Sequence, residues 1–155
     1  MREKLLISAC LLGEPCRYDG RSKPLPPEPL ERLREKFDLV PACPESLGGL
    51  PVPREPGEQR GERVYSRTGE DVTAQYRLGA ARTLEIARNS GCRRALLKER
   101  SPSCGCGEVH DGTFGGGLVP GDGVTAALLK ENAVKIYGES RLNALISVET
   151  AISEN

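Results

Sequence analysis

The sequence has few aromatic residues and no excess of either charge, and these two shortages exclude several kinds of partner. Aromatic residues make up 4% of the 155 residues and tryptophan is absent, which leaves little material for a base-stacking platform. Lysine plus arginine equals aspartate plus glutamate at 22 each, so the net charge is zero. Binding of a long polyanion usually needs a basic excess. A small-molecule substrate therefore fits better than a nucleic-acid duplex, and tRNA is disfavoured as well.

Long apolar segments are also missing. The apolar run at residues 5–7 is much shorter than a signal-peptide core or a membrane span. We therefore expect a cytoplasmic protein without a membrane partner. Because the length is that of one ordinary domain, we predict a single domain over residues 1–155, as a monomer or a homodimer.

Short apolar runs alternate with helical patterns along the chain. The runs that predict strands lie at residues 4–9, 38–40, 94–98 and 134–137. The patterns that predict helices lie at residues 30–37, 76–87 and 124–132. This alternation is typical of an α/β fold, and we predict a mainly parallel, Rossmann-like sheet with helices on both faces.

Two segments between these elements carry other signals. Residues 54–69 are charged and have no apolar periodicity, which predicts a long loop over the site. Asp111-Gly112 lies between short β-prone pairs, which predicts a tight hairpin. His110, the single histidine, is expected to be an exposed side chain of that hairpin without a role.

Three of the six cysteines are placed to converge. Cys10, Cys43 and Cys104 each follow a predicted strand, and ligands of open parallel sheets bind beyond the carboxyl ends of the strands. In a reducing cytosol, thiols or metal ligands are favoured over disulfides. Three thiolates without an adjacent histidine suit an iron-sulfur cluster or, less well, zinc. From spacing alone, such a site stays balanced against cysteines that are simply buried.

The residues around these cysteines form a set of motifs in a fixed order. The motifs are Ser8-Ala9-Cys10-Leu11-Leu12-Gly13 with Cys16-Arg17-Tyr18-Asp19-Gly20, Cys43-Pro44-Glu45 with Gly48-Gly49-Leu50 and Pro53-Arg54, Gly69-Glu70-Asp71-Val72-Thr73, and Lys98-Glu99-Arg100-Ser101-Pro102-Ser103-Cys104-Gly105. With Asp111-Gly112 and the helix entry at residues 121–129, this set resembles the DUF523 family, whose characterised members are thiouracil desulfidases. The resemblance spans nearly the whole chain.

The resemblance implies a cofactor and a reaction. It implies a [4Fe-4S] cluster held only by Cys10, Cys43 and Cys104, which leaves one iron without a protein ligand. Such an iron is a Lewis acid that binds the sulfur of a thiolated pyrimidine and polarises the C–S bond. Water then replaces the sulfur in a hydrolysis without net redox change. The implied substrate is a thiolated uracil, as the free base, nucleoside or nucleotide.

We expect functional roles for four polar residues that lie near the implied ligands in the sequence. Glu45, two residues past Cys43, is expected to activate the water or to pass protons. Ser101 is expected to be catalytic, and Ser103 to bind the substrate. Arg54 is expected either to bind an anionic group of the substrate or to cap the loop.

The other cysteines define the alternatives. Cys16 matches the family motifs without being an implied ligand and is expected to support or pack against the site, whereas Cys92 is expected to be a buried structural thiol. Cys106 is an added thiol near Cys104. If Cys106 completes four-thiolate ligation, the chain is a non-enzymatic iron-sulfur or zinc-binding module or a redox sensor. A hydrolase without metal, with Cys104 as nucleophile, lacks an obvious base.

Overall fold

The computed structural model describes residues 2–153, which form a four-stranded sheet, two antiparallel ribbons and the helices that cover them. In chain order the elements are β1 (Glu3–Ser8), α1 (Pro27–Lys36), β2 (Phe37–Ala42), α2 (Pro44–Leu47), β3 (Gly57–Arg60), β4 (Arg63–Ser66), α3 (Thr73–Ser90), β5 (Arg94–Leu97), β6 (Glu108–His110), β7 (Leu118–Pro120), α4 (Val124–Glu131), β8 (Lys135–Gly138) and α5 (Leu142–Ser153). No helix within residues 2–153 is both long enough and apolar enough to cross a membrane.

The main sheet is parallel throughout, with the strand order β2-β1-β5-β8. From β1 the chain passes to β2 on one side, and it later returns to place β5 on the other side of β1. The strand order therefore reverses at β1, and a crevice opens beyond the carboxyl end of this strand. The predicted α/β fold with a Rossmann-like parallel sheet is confirmed.

The core has one layer on each face of the sheet, because successive side chains of a strand point to opposite sides. Leu6 of β1 packs in the layer formed with α3 and α4, where Leu129 is fully buried. Leu5 and Ile7 pack in the layer formed with α1 and α5, where Leu33 is fully buried. Each such side chain contributes about 1.5–3 kcal/mol through burial. Packing on both faces thus stabilises the sheet, and these two layers do not cover the carboxyl ends of its strands.

The predicted long loop at residues 54–69 is wrong, because these residues contain the antiparallel ribbon β3–β4. Glu58 pairs with Tyr65, and Gln59 pairs with Val64. Val64 is 1% exposed and packs with Tyr76 of α3. Each strand has only four residues, most of them charged or polar. Val64 is the one buried apolar side chain of the pair, so the sequence shows no alternating apolar pattern that would predict the strands.

The predicted tight turn at Asp111-Gly112 is also wrong. His110 of β6 pairs with Leu118 of β7, so a wider loop over residues 111–117 joins the two strands. The Asp111 carboxylate accepts the backbone N–H of Thr113, which closes a local turn at the start of that loop. The Asp-Gly signal therefore marks one bend within the loop rather than a two-residue hairpin turn.

The short helix α2 packs with its backbone directly against α3. A Cβ atom at Gly79 would collide with the carbonyl oxygen of Pro44, and one at Gly48 would collide with the carbonyl oxygen of Gln75. Only glycine permits this approach. Because α2 begins directly after Cys43, the contact determines how the chain leaves β2.

Candidate active site

The three predicted ligands lie at the carboxyl ends of three neighbouring strands. Cys10 follows β1 in a short 3-10 turn, Cys43 follows β2, and Cys104 lies in the loop after β5. All three border one space of about 410 Å³, the thiol cavity. The side chains of the cavity that carry the chemistry are Cys10, Cys16, Cys43, Cys104, Glu45, Arg54, Ser101, Ser103, His110 and Phe114.

Cys16 is the fourth thiol of the cavity. A hydrogen bond with the Cys10 thiol raises the pKa of Cys16 to about 11, against the opposing effect of the Cys43 thiol. The Cys43 sulfur also lies 3.8 Å from the carbonyl oxygen of Cys16, to which its S–H donates. Cys16 therefore touches two of the predicted ligands, and its place in the family motif was the only sequence signal for this.

Three of the cavity thiols, those of Cys16, Cys43 and Cys104, have a raised pKa, which favours the protonated form. Burial raises the pKa of the Cys104 thiol to about 12, although Ser8 and Ser103 act in the opposite direction. The Cys16 thiol and burial together raise the pKa of Cys43. A protonated thiol is a poor nucleophile, so this environment argues against the metal-free hydrolase that uses Cys104. A metal that binds here must displace the thiol protons.

The other two cysteines lie away from the cavity walls. Cys92 is 7% exposed and belongs to the core layer beneath α3 and α4, which confirms that it is a buried thiol. Cys106 is half-buried and packs against the same layer. The geometry therefore gives no support to a fourth ligand at Cys106 or to the four-thiolate module that needs it.

The donor set fits a cluster better than a single metal ion. Within residues 2–153, no three His, Cys, Asp or Glu side chains are grouped closely enough to bind one ion. Cluster ligands are further apart, because each thiolate binds a different iron. Cys10, Cys43 and Cys104 follow three separate strands, and neighbouring strands lie about 4.7–4.9 Å apart. Three soft sulfur ligands that reach one cavity from separate strands suit an iron-sulfur cluster.

Glu45 is held at both carboxylate oxygens. Arg54 Nε donates to Glu45 Oε1 at 3.0 Å, and the Ser103 hydroxyl donates to Glu45 Oε2 at 3.0 Å. The side chains of Glu45 and Arg54 are only 13% and 6% exposed. Charge-assisted hydrogen bonds are strong in such a desolvated place, so the carboxylate has a fixed orientation.

A row of hydroxyl groups leads from the cavity to Glu45. Ser101 Oγ lies 3.0 Å from Ser103 Oγ, and it accepts the backbone N–H groups of Ser103 and Cys104 at 3.1 Å each. Because the Ser103 proton is directed at Glu45, Ser101 donates to Ser103. The two predicted catalytic residues, Glu45 and Ser101, are thus the ends of one network. Ser103 is 1% exposed, and its hydroxyl is hydrogen-bonded to Glu45.

Arg54 makes two further hydrogen bonds to the backbone. Its Nη1 donates to the carbonyl oxygen of Pro51, and its Nη2 donates to that of Cys16, both at 2.9 Å. Together with the bond to Glu45, these contacts hold the carboxylate and the Cys16 loop in one arrangement. Arg54 also borders the cavity, so contact with an anionic group of the substrate stays a prediction.

Three residues of the site were missed at the sequence level. Tyr76 lies behind Glu45, where burial and the Glu45 charge raise the pKa of the phenol. Phe114 borders the cavity, although the sequence pattern places it in a β-prone pair of the predicted hairpin and gives it no role. His110 is half-buried and borders the cavity, and its buried Nδ1 has no hydrogen-bond partner within residues 2–153. The expectation that His110 is exposed is therefore wrong.

A parallel α/β sheet with a carboxylate and convergent thiols at its switch point defines a class of protein with an iron-sulfur-type catalytic site. The sequence profile of the 2-thiouracil desulfurase family matches residues 5–141, and the chain belongs to this family. The predicted family is therefore confirmed.

Two known proteins are similar to this chain over nearly its whole length. The uncharacterized protein YbbK of Bacillus subtilis (strain 168) is 41% identical over 152 residues, which covers 92% of this chain and 99% of that protein. The solved structure of the [4Fe-4S]-dependent thiouracil desulfidase TudS (DUF523Vcz) superposes with a TM-score of 0.91 at 42% identity, and it covers 97% of this chain and 99% of that one. The shared fold therefore extends over nearly the whole chain.

Proposed function

We propose that the chain is an iron-sulfur-dependent desulfidase that removes sulfur from a thiolated uracil by hydrolysis. The observation that carries the proposal is the meeting of three thiols with the Glu45–Ser103–Ser101 network in one cavity. Membership of the 2-thiouracil desulfurase family and the similarity to TudS support it. The activity needs both parts of the cavity, because the thiols hold the cofactor and the Glu45–Ser103–Ser101 network takes part in proton transfer.

Cys10, Cys43 and Cys104 would hold the [4Fe-4S] cluster. When bound by three protein thiolates, the cluster supplies an iron with a free coordination position, a Lewis acid with affinity for sulfur. The three thiols lose their protons on binding. Cys10 and Cys104 are buried and Cys43 is half-buried, so the site is largely shielded from solvent.

Glu45 is the general base of the proposed reaction. Each carboxylate oxygen has two lone pairs, so Glu45 can accept a hydrogen bond from water beside those from Arg54 and Ser103. Glu45 orients this water toward the ring carbon and takes its proton. The hydrogen bonds run from Ser101 to Ser103 and from Ser103 to Glu45, so both hydroxyls donate toward the carboxylate and fix its orientation for this proton transfer. Glu45 then gives the proton to the departing sulfide. Arg54 and Tyr76 hold the carboxylate during both steps.

The substrate is a small thiolated uracil, as the free base, nucleoside or nucleotide. The cavity volume of about 410 Å³ lies in the usual range of small-molecule sites. Zero net charge argues against tRNA or a duplex as the substrate. The six free cysteines favour a reducing compartment and so support a cytoplasmic location.

The ligand set is tested by replacing one thiol at a time. Cys10→Ser, Cys43→Ser and Cys104→Ser are compared with Cys106→Ser, each after anaerobic reconstitution with iron and sulfide. We expect the first three variants to lose most of their iron and all sulfide release from thiouracil. Cys106→Ser is the matched control and retains both. A fully active Cys43→Ser enzyme, or iron loss confined to Cys106→Ser, refutes the proposal.

A further inference from the structure

Two aromatic rings that no role described so far explains, Tyr18 and Phe114, border the thiol cavity. The chain has four tyrosines and two phenylalanines. Three of these rings, Phe37, Tyr76 and Tyr137, are buried in the core, and Tyr65 lies under the Arg60 guanidinium. Phe114 borders the cavity on the loop between β6 and β7.

The backbone of Phe114 has an unusual conformation. Its φ is +59°, in the left-handed region that bulky residues rarely adopt. Non-glycine residues persist there only where their surroundings impose the conformation, and they occur often at ligand sites. Glycine at this position would relieve the strain but would remove the ring from the cavity.

A buried carboxylate imposes this conformation. Glu58 of β3 is 8% exposed, and its Oε1 accepts the backbone N–H groups of Gly112 and Phe114 at 3.0 Å each. Arg60 Nε donates to the carbonyl oxygen of Gly112 at 2.9 Å. The ribbon β3–β4, whose strands were not predicted from the sequence, therefore serves as the support on which the Phe114 loop is fixed.

A cation restrains the ring itself. The Arg67 guanidinium lies 5.9 Å from the centroid of the Phe114 ring and also borders the cavity. A guanidinium at this distance is attracted by the ring electrons. The ring is thus held by Glu58 through the backbone and by Arg67 through the side chain.

We propose that Phe114 is the stacking surface for the pyrimidine ring of the substrate, and that Glu58 is the positioning residue that presents it. This inference rests on the proposed function. A pyrimidine is planar and offers its π face to an aromatic ring whatever its substituents. Stacking on one face leaves the sulfur at the edge of the base free to face the cysteines, and it leaves the opposite face of the ring open to the water that Glu45 activates.

Tyr18 is the other aromatic ring at the cavity, and it is less suited to this role. Its side chain is 38% exposed, and the Arg17 guanidinium lies 5.8 Å from its centroid. Nothing in its surroundings matches the buried carboxylate that fixes the Phe114 backbone.

The test distinguishes an effect of the aromatic π face on substrate binding from an effect of apolar side-chain volume. Phe114→Leu keeps an apolar side chain without a flat face, whereas Phe114→Tyr keeps the face. Binding of uracil to the reconstituted holoenzyme is measured by titration calorimetry, beside KM, kcat and iron content with thiouracil. We expect Phe114→Leu to weaken uracil binding and raise KM by about tenfold, with a smaller change in kcat and unchanged iron. Phe114→Tyr stays close to the wild type.

A second pair of variants tests the positioning residue. Glu58→Leu removes the acceptor of both N–H groups and weakens uracil binding in the same direction, and Glu58→Gln restores it because its amide oxygen can accept both bonds. Phe114→Leu with wild-type uracil affinity and KM overturns the stacking role. Since uracil is not turned over, its binding is measured independently of desulfuration. A wild-type holoenzyme that releases no sulfide instead refutes the proposed function.

Discussion

At the scale of single residues, the carboxylate of Glu45 joins parts of the chain that are distant in the sequence. Arg54 and Ser103 bind its two oxygens, and Tyr76 lies against it from α3. The sequence motifs identified Glu45, Arg54, Ser103 and Ser101 as residues of the site. They did not show that Ser103, rather than Ser101, touches Glu45, because this depends on how the loop after β5 folds over α2. Tyr76 has the spacing of a core residue and gives no sequence signal.

The base role of Glu45 is tested by Glu45→Gln. The amide keeps the size and can still accept the Ser103 hydroxyl, but it cannot take a proton from water. We expect unchanged iron content and a fall in kcat of about 10²–10⁴-fold. Sulfide release and iron are measured on the same reconstituted samples. A kcat within about threefold of the wild type would show that another group accepts the proton.

At the scale of elements, the parallel sheet was predictable and its two ribbons were not. β1, β2, β5 and β8 are short apolar runs, and three of them are followed by a cysteine. Their predicted limits agree with the observed ones to within two residues. The ribbon β3–β4 is stabilised by packing on α3, a tertiary effect that single-sequence periodicity does not contain. The loop at residues 111–117 depends in the same way on Glu58.

The contact between α2 and α3 is tested by Gly79→Ala. The added methyl group collides with the carbonyl oxygen of Pro44, so α2 must move, and with it Glu45. We expect a loss of about 1–3 kcal/mol in the free energy of unfolding, as for overpacked sites, together with lower iron uptake. Urea unfolding of the cluster-free protein gives the first quantity. Leu78→Ala, at an exposed position of the same helix, is the control and should change stability by less than about 0.5 kcal/mol. Equal stability of the two variants would contradict the account.

At the scale of the whole molecule, an ion pair ties the amino ends of the two strands that deliver Cys10 and Cys104. Arg94 of β5 donates to both oxygens of Glu3 on β1, at 2.9 and 2.6 Å. The hydrogen bond from Arg94 lowers the pKa of Glu3, against the opposing effect of burial. A lowered folded-state pKa gives stability that is present above the unfolded-state value and is lost as the pH falls through the folded-state value.

This pair predicts a pH-dependent difference between the wild type and Glu3→Gln. We expect the variant to be less stable by about 1 kcal/mol near pH 7, with the difference shrinking toward zero as the pH falls below about 4. Urea unfolding at several pH values measures it, and Glu85→Gln on the exposed face of α3 is the control. A difference that stays constant between these pH values would contradict the assignment.

The same unfolding curves test whether the chain is a single domain. Both core layers cover one sheet, so we expect one cooperative transition with coincident circular dichroism and tyrosine fluorescence. Two separate transitions would instead show two folding units.

The central claim is that the three thiols hold a cluster with a reactive iron. It is tested most directly by measuring iron and acid-labile sulfide after anaerobic reconstitution, and by following the visible spectrum as thiouracil is added. We expect about four irons per chain, a spectral change on addition of thiouracil, and release of one sulfide for each uracil formed. A chain that takes up no iron, or a cluster whose spectrum does not respond to thiouracil, would contradict it.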